Sequence, residues 1–183
     1  MLRQPLEGGE VTVARAYGSI KFPARFMLVA AMNPTPSGYA SDNPKVREKY
    51  LAKLSGPLLD RIDIHVEVPA VPYRELTSRQ AGTDSATMRG QVTAARAAQS
   101  KRFGGDGTSN ARMDSRQLKK FCDLSDGCLL LMKQAMDELG LSARAYDKVR
   151  RVARTIADMD GSEHISENHV AEAVQYRLLD RKF

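Results

Sequence analysis

Residues 142–158, which read SARAYDKVRRVARTIAD, carry the clearest helical signal in the sequence. Apolar side chains recur there every three or four residues, at Ala145, Val149, Val152 and Ile156. This period matches the turn of an α-helix, so the four side chains lie on one face. Because so narrow an apolar stripe does not stabilise a lone helix in water, the stretch predicts a bundle of several packed helices.

Further helix signals flank this stretch. Asp114, with Gln117 three residues later, is typical of a capping box at a helix start. Ser125 can cap a helix that Gly140 ends, because glycine readily takes the left-handed conformation that follows many helices. Two more helices are predicted from apolar residues at helical spacing. One runs to Phe103 and has Met88, Val92 and Ala95 at this spacing. The other follows the possible cap Ser166 and has Val170, Ala173, Val174 and Leu178.

The N-terminal part of the chain has a different pattern, which predicts strands. Residues 11–14 and 19–22 alternate in polarity around a turn that contains Gly18, as in a β-hairpin. Residues 26–32 are apolar throughout, which is typical of a central strand covered on both faces. Residues 62–68 alternate apolar and polar side chains, as in a strand with one polar face.

This change of pattern predicts two domains joined by a linker. Residues 1–70 are expected to be an α/β unit of central strands and the hairpin, with short helices that end at Gly8 and run over residues 46–54. Residues 71–85 are the expected linker. Residues 86–183 are expected to form an all-α domain.

The composition bounds the class of protein. Of the 183 residues, 42% are hydrophobic and 27% charged, a balance typical of globular chains and not of disordered ones. No segment approaches the roughly 18 consecutive apolar residues of a membrane span, and the start of the chain does not resemble a targeting peptide. We therefore expect a cytoplasmic protein with no membrane partner. The 28 Lys and Arg against 22 Asp and Glu give a net charge of +6, which favours a polyanionic partner without identifying it.

The cysteines give no sign of a metal site. The chain has two, Cys122 and Cys128, six residues apart and without a nearby histidine, so no zinc framework is predicted. Free core thiols are expected, and a disulfide between the two is the open alternative.

Two polar residues stand at the ends of predicted strands. Asn33 directly follows the apolar strand, and ligands of α/β sheets bind outside the carboxyl ends of strands. Arg61 directly precedes the alternating strand. Each has a plainer interpretation, since Asn33 can belong to a strand-ending turn and Arg61 can be a solvated arginine or an ion-pair partner of Asp60.

Several sequence blocks occur together in one order along the chain. They are residues 1–7 (MLRQPLE), 22–26 (FPARF), 28–34 (LVAAMNP), 55–63 (SGPLLDRID), 142–147 (SARAYD), 154–158 (RTIAD) and 171–181 (AEAVQYRLLDR). In this combination the chain resembles the magnesium-chelatase-like AAA+ ATPases of the competence-protein ComM (YifB) type. The resemblance implies that residues 1–70 are the C-terminal part of a AAA+ core and that residues 86–183 are its helical lid.

The resemblance also implies roles in the hydrolysis of ATP, with Mg²⁺, at the interfaces of a ring that we expect to be a hexamer. Asn33 matches sensor 1, which orients the attacking water, and Arg61 matches the arginine finger that reaches into the neighbouring subunit. Arg144 matches sensor 2, a nucleotide contact from the lid. The plainer alternative for Arg144 is one more cation in a basic row that continues to Arg154.

The hairpin resembles one that projects into the central pore of related ring helicases. Arg15, Tyr17 and Lys21 near its turn would offer charge and a stacking surface to a nucleic-acid backbone. An ordinary solvated turn is the alternative for each of these residues.

Two parts of the ATPase machinery have no counterpart in the chain. No G-x-x-x-x-G-K-[ST] phosphate loop occurs, and no apolar strand ends in the paired carboxylates that would hold Mg²⁺. The chain is therefore expected to be the C-terminal fragment of a longer protein, with no cofactor bound and no ATP hydrolysis by itself. Where many relatives have closely spaced cysteines after sensor 1, residues 34–38 read PTPSG, so no metal is expected there.

The leading interpretation is the sensor, arginine-finger and lid portion of a ring ATPase that works as a DNA helicase or branch-migration motor. Its partners would be its own N-terminal segments, neighbouring subunits and DNA. Two alternatives stay open. One is a metal-insertion ATPase subunit of the magnesium chelatase type, and the other is a non-enzymatic, basic helical module that binds DNA.

Overall fold

The computed structural model describes residues 2–33, 45–46, 49, 56–73, 77, 82–105 and 107–177. They divide into two compact units, Met1–Ile62 and Asp63–Lys182. The elements of the first unit are helix α1 (Arg3–Gly8), strands β1 (Glu10–Arg15) and β2 (Gly18–Pro23), and the short helix α2 (Gly56–Leu59). Those of the second are α3 (Ser85–Phe103), a 3-10 turn (Asn110–Arg112), α4 (Ser115–Phe121), α5 (Asp126–Leu139), α6 (Ala143–Met159) and α7 (Glu167–Gln175).

The predicted hairpin is confirmed in the first unit. Strands β1 and β2 pair antiparallel, with Val11 opposite Phe22 and Val13 opposite Ile20. The predicted helix end before the hairpin is confirmed as well. Gly9 has φ 63° and closes α1, because its amide donates to the carbonyl of Pro5 at 3.0 Å. The predicted helix over residues 46–54 lies largely outside the described residues.

The two predicted central strands are not formed, so this part of the predicted α/β fold is wrong. Residues 24–33 and 64–72 have no strand conformation, and the sheet of the described residues consists of β1 and β2. Apolar side chains of both segments are solvent-exposed, with Met27 at 85% and Val68 at 81%. A strand is held by hydrogen bonds to a neighbouring strand, and neither segment has such a neighbour among the described residues.

The second unit is helical, as predicted, and α6 runs through its core. The buried apolar residues of α6 include Ala145 and Val149, as predicted. Further along the helix, the buried residues are Ala153 and Ala157. The predicted Val152 and Ile156, each one position earlier, are half-buried. This buried stripe of α6 packs with residues of the other helices, which include Leu118, Cys122, Met132, Val170 and Ala173. The small alanine side chains let neighbouring helices approach α6 closely.

The predicted helix caps are confirmed. Asp114 and Gln117 form a reciprocal capping box at the start of α4. The Ser125 hydroxyl accepts a hydrogen bond from the Cys128 amide, and Gly140 ends α5 with φ 64°. Ser166 caps α7 and accepts from the His169 amide. These caps satisfy backbone amides that a helix start otherwise leaves without partners.

Helix α3 departs from the predicted packing. Met88 and Val92 were expected on its apolar face, but they are 50% and 55% exposed, and only Ala95 and Gln99 are buried. The N-terminal half of α3 does not pack against the described bundle, so its apolar positions have no surface to bury against. The half-exposed helix still has a cap, because Asp84 accepts from the Thr87 amide at 2.8 Å, which lowers the pKa of Asp84. Neither α3 nor any other described helix has the length and apolar character to span a lipid bilayer.

A buried carboxylate joins three parts of the second unit. Asp158 on α6 accepts hydrogen bonds from both Arg102 on α3 and Asn110 on the 3-10 turn, each at 2.8 Å. It also accepts from Arg154 Nε at 3.1 Å, and the Asp158 side chain is only 1% exposed. Arg154 continues the network to the loop after α6, where its guanidinium donates to the Glu163 carbonyl at 2.7 Å. A buried charge is tolerated when it is paired and fully hydrogen-bonded, as here.

We predict that Asp158→Ala lowers the free energy of unfolding by about 3–5 kcal/mol, because it leaves two guanidinium groups inside the unit without their carboxylate. Urea denaturation followed by circular dichroism measures the effect. The matched control is Asp137→Ala, since Asp137 on α5 is exposed and forms no ion pair with the described residues. The control should change the stability by less than about 0.5 kcal/mol. Equal effects of the two substitutions would contradict a structural role for the network.

The two cysteines are free and buried, as expected, so the disulfide alternative is wrong. The Cys122 thiol lies 3.6 Å from the Met113 sulfur, and the Cys128 thiol donates to the Ile165 carbonyl at 3.6 Å. Burial raises the pKa of Cys122 to about 11. Both thiols are therefore part of the packed core.

We predict that native Cys122 and Cys128 resist alkylation by iodoacetamide at mildly alkaline pH, because both sulfurs are buried and the raised pKa of Cys122 keeps its reactive thiolate scarce. Mass spectrometry should find the chain unmodified until urea unfolds it. A Gln134→Cys variant, which places a thiol on an exposed position of α5, should be modified rapidly at that site alone. Rapid modification of the native cysteines would show that the bundle is more open than described.

Candidate functional site

Asn33, the predicted sensor 1, lies at the end of the described segment 24–33 and is exposed. Its amide can both donate and accept a hydrogen bond, as the ordering of a water molecule requires. The loop that follows, residues 34–38, lies outside the described residues, so the prediction of a metal-free loop is not tested.

Arg61, the predicted arginine finger, follows α2 and forms an ion pair within the first unit. Its Nη2 lies 2.8 Å from Glu7 Oε2 on α1, and its Nη1 donates to the Pro57 carbonyl at 2.5 Å. The Arg61 side chain is 14% exposed, and that of Glu7 is 46% exposed. Arg61 is therefore largely covered. Glu7 was not singled out from the sequence, although it belongs to the first of the blocks that carry the family resemblance.

Arg144, the predicted sensor 2, is exposed in the first turn of α6. The turn is fixed by Ser142, whose hydroxyl accepts from the Ala145 amide at 3.1 Å. The cap stabilises the helical conformation of this turn, and this conformation fixes where the Arg144 side chain leaves the backbone on the surface of the second unit.

The later arginines of α6 are less exposed than Arg144, and each binds backbone carbonyls inside the second unit. Arg150 donates to the carbonyls at the C-terminal end of α4, at 3.0 Å to Leu118 and 2.8 Å to Cys122. Arg151 donates to the Met113 carbonyl at 2.9 Å, and Arg154 belongs to the Asp158 network. The basic row is thus three internally bound arginines preceded by an exposed one.

The hairpin presents an aromatic side chain at its turn. Tyr17 is fully exposed, and Arg15 and Lys21 are exposed on either side of it. Lys21 Nζ lies 2.8 Å from Glu10 Oε1 across the strands, and this contact raises the pKa of Lys21. Along β2, Ile20 and Phe22 are also exposed, which gives the hairpin an unusually apolar surface for a solvated turn.

The donor groups of these residues fit a nucleotide phosphate. Guanidinium and amide N–H groups donate to phosphate oxygens, and Arg61, Arg144 and Asn33 supply both kinds. Asn33 and Arg61 belong to the first unit and Arg144 to the second. The sequence has no phosphate loop to hold a nucleotide by itself, so these residues could only add contacts to one held elsewhere.

Comparisons with known proteins agree for both parts of the chain. Residues 82–177 match the sequence model of the family described as magnesium chelatase, subunit ChlI C-terminal, and residues 1–76 match that of magnesium chelatase, subunit ChlI. Among curated proteins, the chain is 42% identical to competence protein ComM of Haemophilus influenzae and to the uncharacterized protein YifB of Escherichia coli. It is 35% identical to the uncharacterized protein Rv2897c of Mycobacterium tuberculosis.

These matches extend over nearly the whole chain but over only part of each relative. They cover 98% of this chain for ComM and YifB and 96% for Rv2897c. In each case the chain spans 36% of the length of the relative.

Proposed function

Because this chain belongs to the magnesium chelatase subunit ChlI family, we propose that it is part of a AAA+ ATPase that hydrolyses ATP at the interfaces of a subunit ring. Residues 1–70 would be the C-terminal part of the ATPase core, residues 71–85 a linker and residues 86–183 the lid. ATP bound with Mg²⁺ would supply the phosphoryl group that is transferred to water. The residues of this chain would orient that water and neutralise charge on the phosphate.

The placement of Arg144 carries the proposal. Arg144 is exposed in the first turn of its helix, whereas the three later arginines of that helix are half-buried or buried. An exposed guanidinium on a rigid, capped helix suits a sensor 2, because motion of the lid would carry the donor toward or away from a phosphate.

The pairing of Arg61 with Glu7 is compatible with a finger that changes partners. If Glu7 were released, Arg61 would keep the Pro57 carbonyl as an acceptor for its Nη1. A phosphate of the neighbouring subunit carries more negative charge than one carboxylate and accepts the same fork of N–H donors. Glu7 would thus hold Arg61 in place until a nucleotide arrives at the interface.

Asn33 is proposed as sensor 1, and its exposure supports access to a water molecule. DNA is proposed as the polymer on which the motor acts. Support comes from the hairpin, where the fully exposed Tyr17 offers a ring for base stacking between two exposed cations. One relative is named a competence protein, and the family description names magnesium chelatase. The hairpin favours DNA over insertion of a metal ion into a porphyrin as the task of the whole protein.

We predict that Arg61→Ala in the full-length protein lowers ATP turnover by about 10³ to 10⁵ while ATP binding is nearly unchanged, because a finger stabilises charge that develops in the transition state. Steady-state turnover at saturating ATP, without DNA, measures the first quantity, and calorimetry measures the second. Lys133→Ala is the matched control, since Lys133 is an exposed cation of α5, and it should keep normal turnover. Near-normal turnover of Arg61→Ala would overturn the finger assignment.

A mixing experiment tests whether the finger acts between subunits. Arg61→Ala subunits mixed with subunits that carry a disabled phosphate loop should regain part of the activity, because a mixed ring pairs an intact loop with an intact finger. Each variant by itself should stay inactive. Absence of any recovery in rings shown to be mixed would place Arg61 in the same subunit as the nucleotide that it serves.

We predict that the 183-residue chain by itself is a monomer, binds ATP weakly and does not turn it over, because it lacks a phosphate loop. Calorimetry with ATP and Mg²⁺, a turnover assay and sedimentation analysis measure these properties. Micromolar affinity for ATP in this chain would mean that it holds the phosphates by other residues, and the assigned sensor roles would then be wrong.

A further inference from the structure

The positive charge of the chain is concentrated in one segment. Residues 85–121 contain eight Lys and Arg against two Asp, a net charge of +6. The rest of the chain has 20 basic and 20 acidic residues and is therefore neutral. We call residues 85–121 the basic segment. It includes α3, the 3-10 turn and α4, all in the second unit.

Most of this charge is at the surface. Arg102 is bound to Asp158 inside the unit, whereas the other cations of the segment are exposed, and these are Arg89, Arg96, Lys101, Arg112, Arg116, Lys119 and Lys120. None of the seven forms an ion pair with a residue that the structure describes. The acidic residue of the segment that is described, Asp114, uses its carboxylate in the capping box of α4. The exposed cations therefore create a positive field with little internal compensation.

Four of the seven exposed cations line two open grooves in the second unit. One has a volume of about 620 Å³, and its lining includes Arg96, Lys101 and the backbone of Gly105 and Gly107. The other, of about 260 Å³, is lined in part by Arg116, Lys120, Phe103 and Phe121. The first groove thus places charged donors beside glycines, and the second places them beside aromatic rings. Such surroundings suit an extended anionic polymer better than a compact ion.

The spacing of the cations along α3 also suits a polymer. Arg89 and Arg96 are seven residues apart, which places them on the same face of the helix with about 10 Å between them. A DNA duplex carries one negative charge for every 1.7 Å or so of its axis, so cations at this separation can contact different phosphates of one backbone. A protein partner is less well matched to the three exposed lysines of the segment, because lysine is depleted in protein interfaces.

We propose that the basic segment is a second nucleic-acid-binding surface, separate from the hairpin, which binds the phosphate backbone of DNA and does not read its sequence. The choice of DNA rests on the proposed function, whereas the surface itself rests on the distribution of charge. Contacts to phosphates fix the position of a protein on a duplex without base recognition. The lid unit would then hold DNA directly.

The test measures binding of the 183-residue chain to a fluorescein-labelled DNA duplex of mixed sequence by fluorescence anisotropy, without ATP, over a range of salt concentrations. We expect Arg96→Gln/Lys101→Gln and Arg116→Gln/Lys119→Gln each to weaken binding at low salt about tenfold or more. Each should also reduce the slope of log affinity against log salt by about 2, since two phosphate contacts are lost. Thermal unfolding checks that the variants remain folded.

The matched control is Arg25→Gln/Lys133→Gln, which removes the same charge from exposed positions outside the basic segment and should leave the salt slope unchanged. Equal weakening by control and segment variants, or no binding by the unmodified chain, would overturn the proposal. So would a loss confined to Arg15→Gln/Lys21→Gln, which would leave the hairpin as the DNA contact. Displacement of DNA by poly-L-glutamate at equal concentration of charge would indicate an acidic protein partner instead. None of these outcomes bears on the turnover assays of Arg61.

Discussion

The second unit depends on the burial of one carboxylate. Asp158 receives hydrogen bonds from two arginines and an asparagine that lie on different elements, and almost none of its surface reaches solvent. Because a buried charge that loses its partners is costly, α3 and the 3-10 turn are held against α6. The same network closes the loop that follows α6, through the contacts of Arg154 with the backbone.

The arginines inside the bundle fall into two groups according to the acceptor that each one binds. Arg102 and Arg154 neutralise a carboxylate, and Arg150 and Arg151 satisfy carbonyls that the end of α4 and the turn before it would otherwise leave without partners. Arg144 and seven cations of the basic segment are exposed instead. The surface that a phosphate partner can reach therefore includes these exposed cations.

Much of the helical unit could be predicted from local sequence. Caps act over three or four residues, so Asp114, Ser125 and Gly140 fix helix ends whatever the rest of the chain does. Strands depend on distant neighbours, and the apolar run over residues 26–32 lacks one among the described residues, so its pattern predicted a strand that does not form. The packing predicted for Met88 and Val92 at the start of α3 was wrong for a similar reason. Periodicity indicates a helix, but it does not indicate which surface covers the apolar face of that helix.

The sequence by itself determined the family, the helix ends, the hairpin and the identity of the candidate site residues, because these are encoded in short blocks and in spacings of a few residues. Tertiary structure alone decided which charges are internal. The partners of Arg61 and Arg102 lie 54 and 56 residues away in the chain, at Glu7 and Asp158, and no local pattern connects them. The exposure of Arg144 was decided in the same way, because helical spacing does not distinguish an exposed arginine from a buried one.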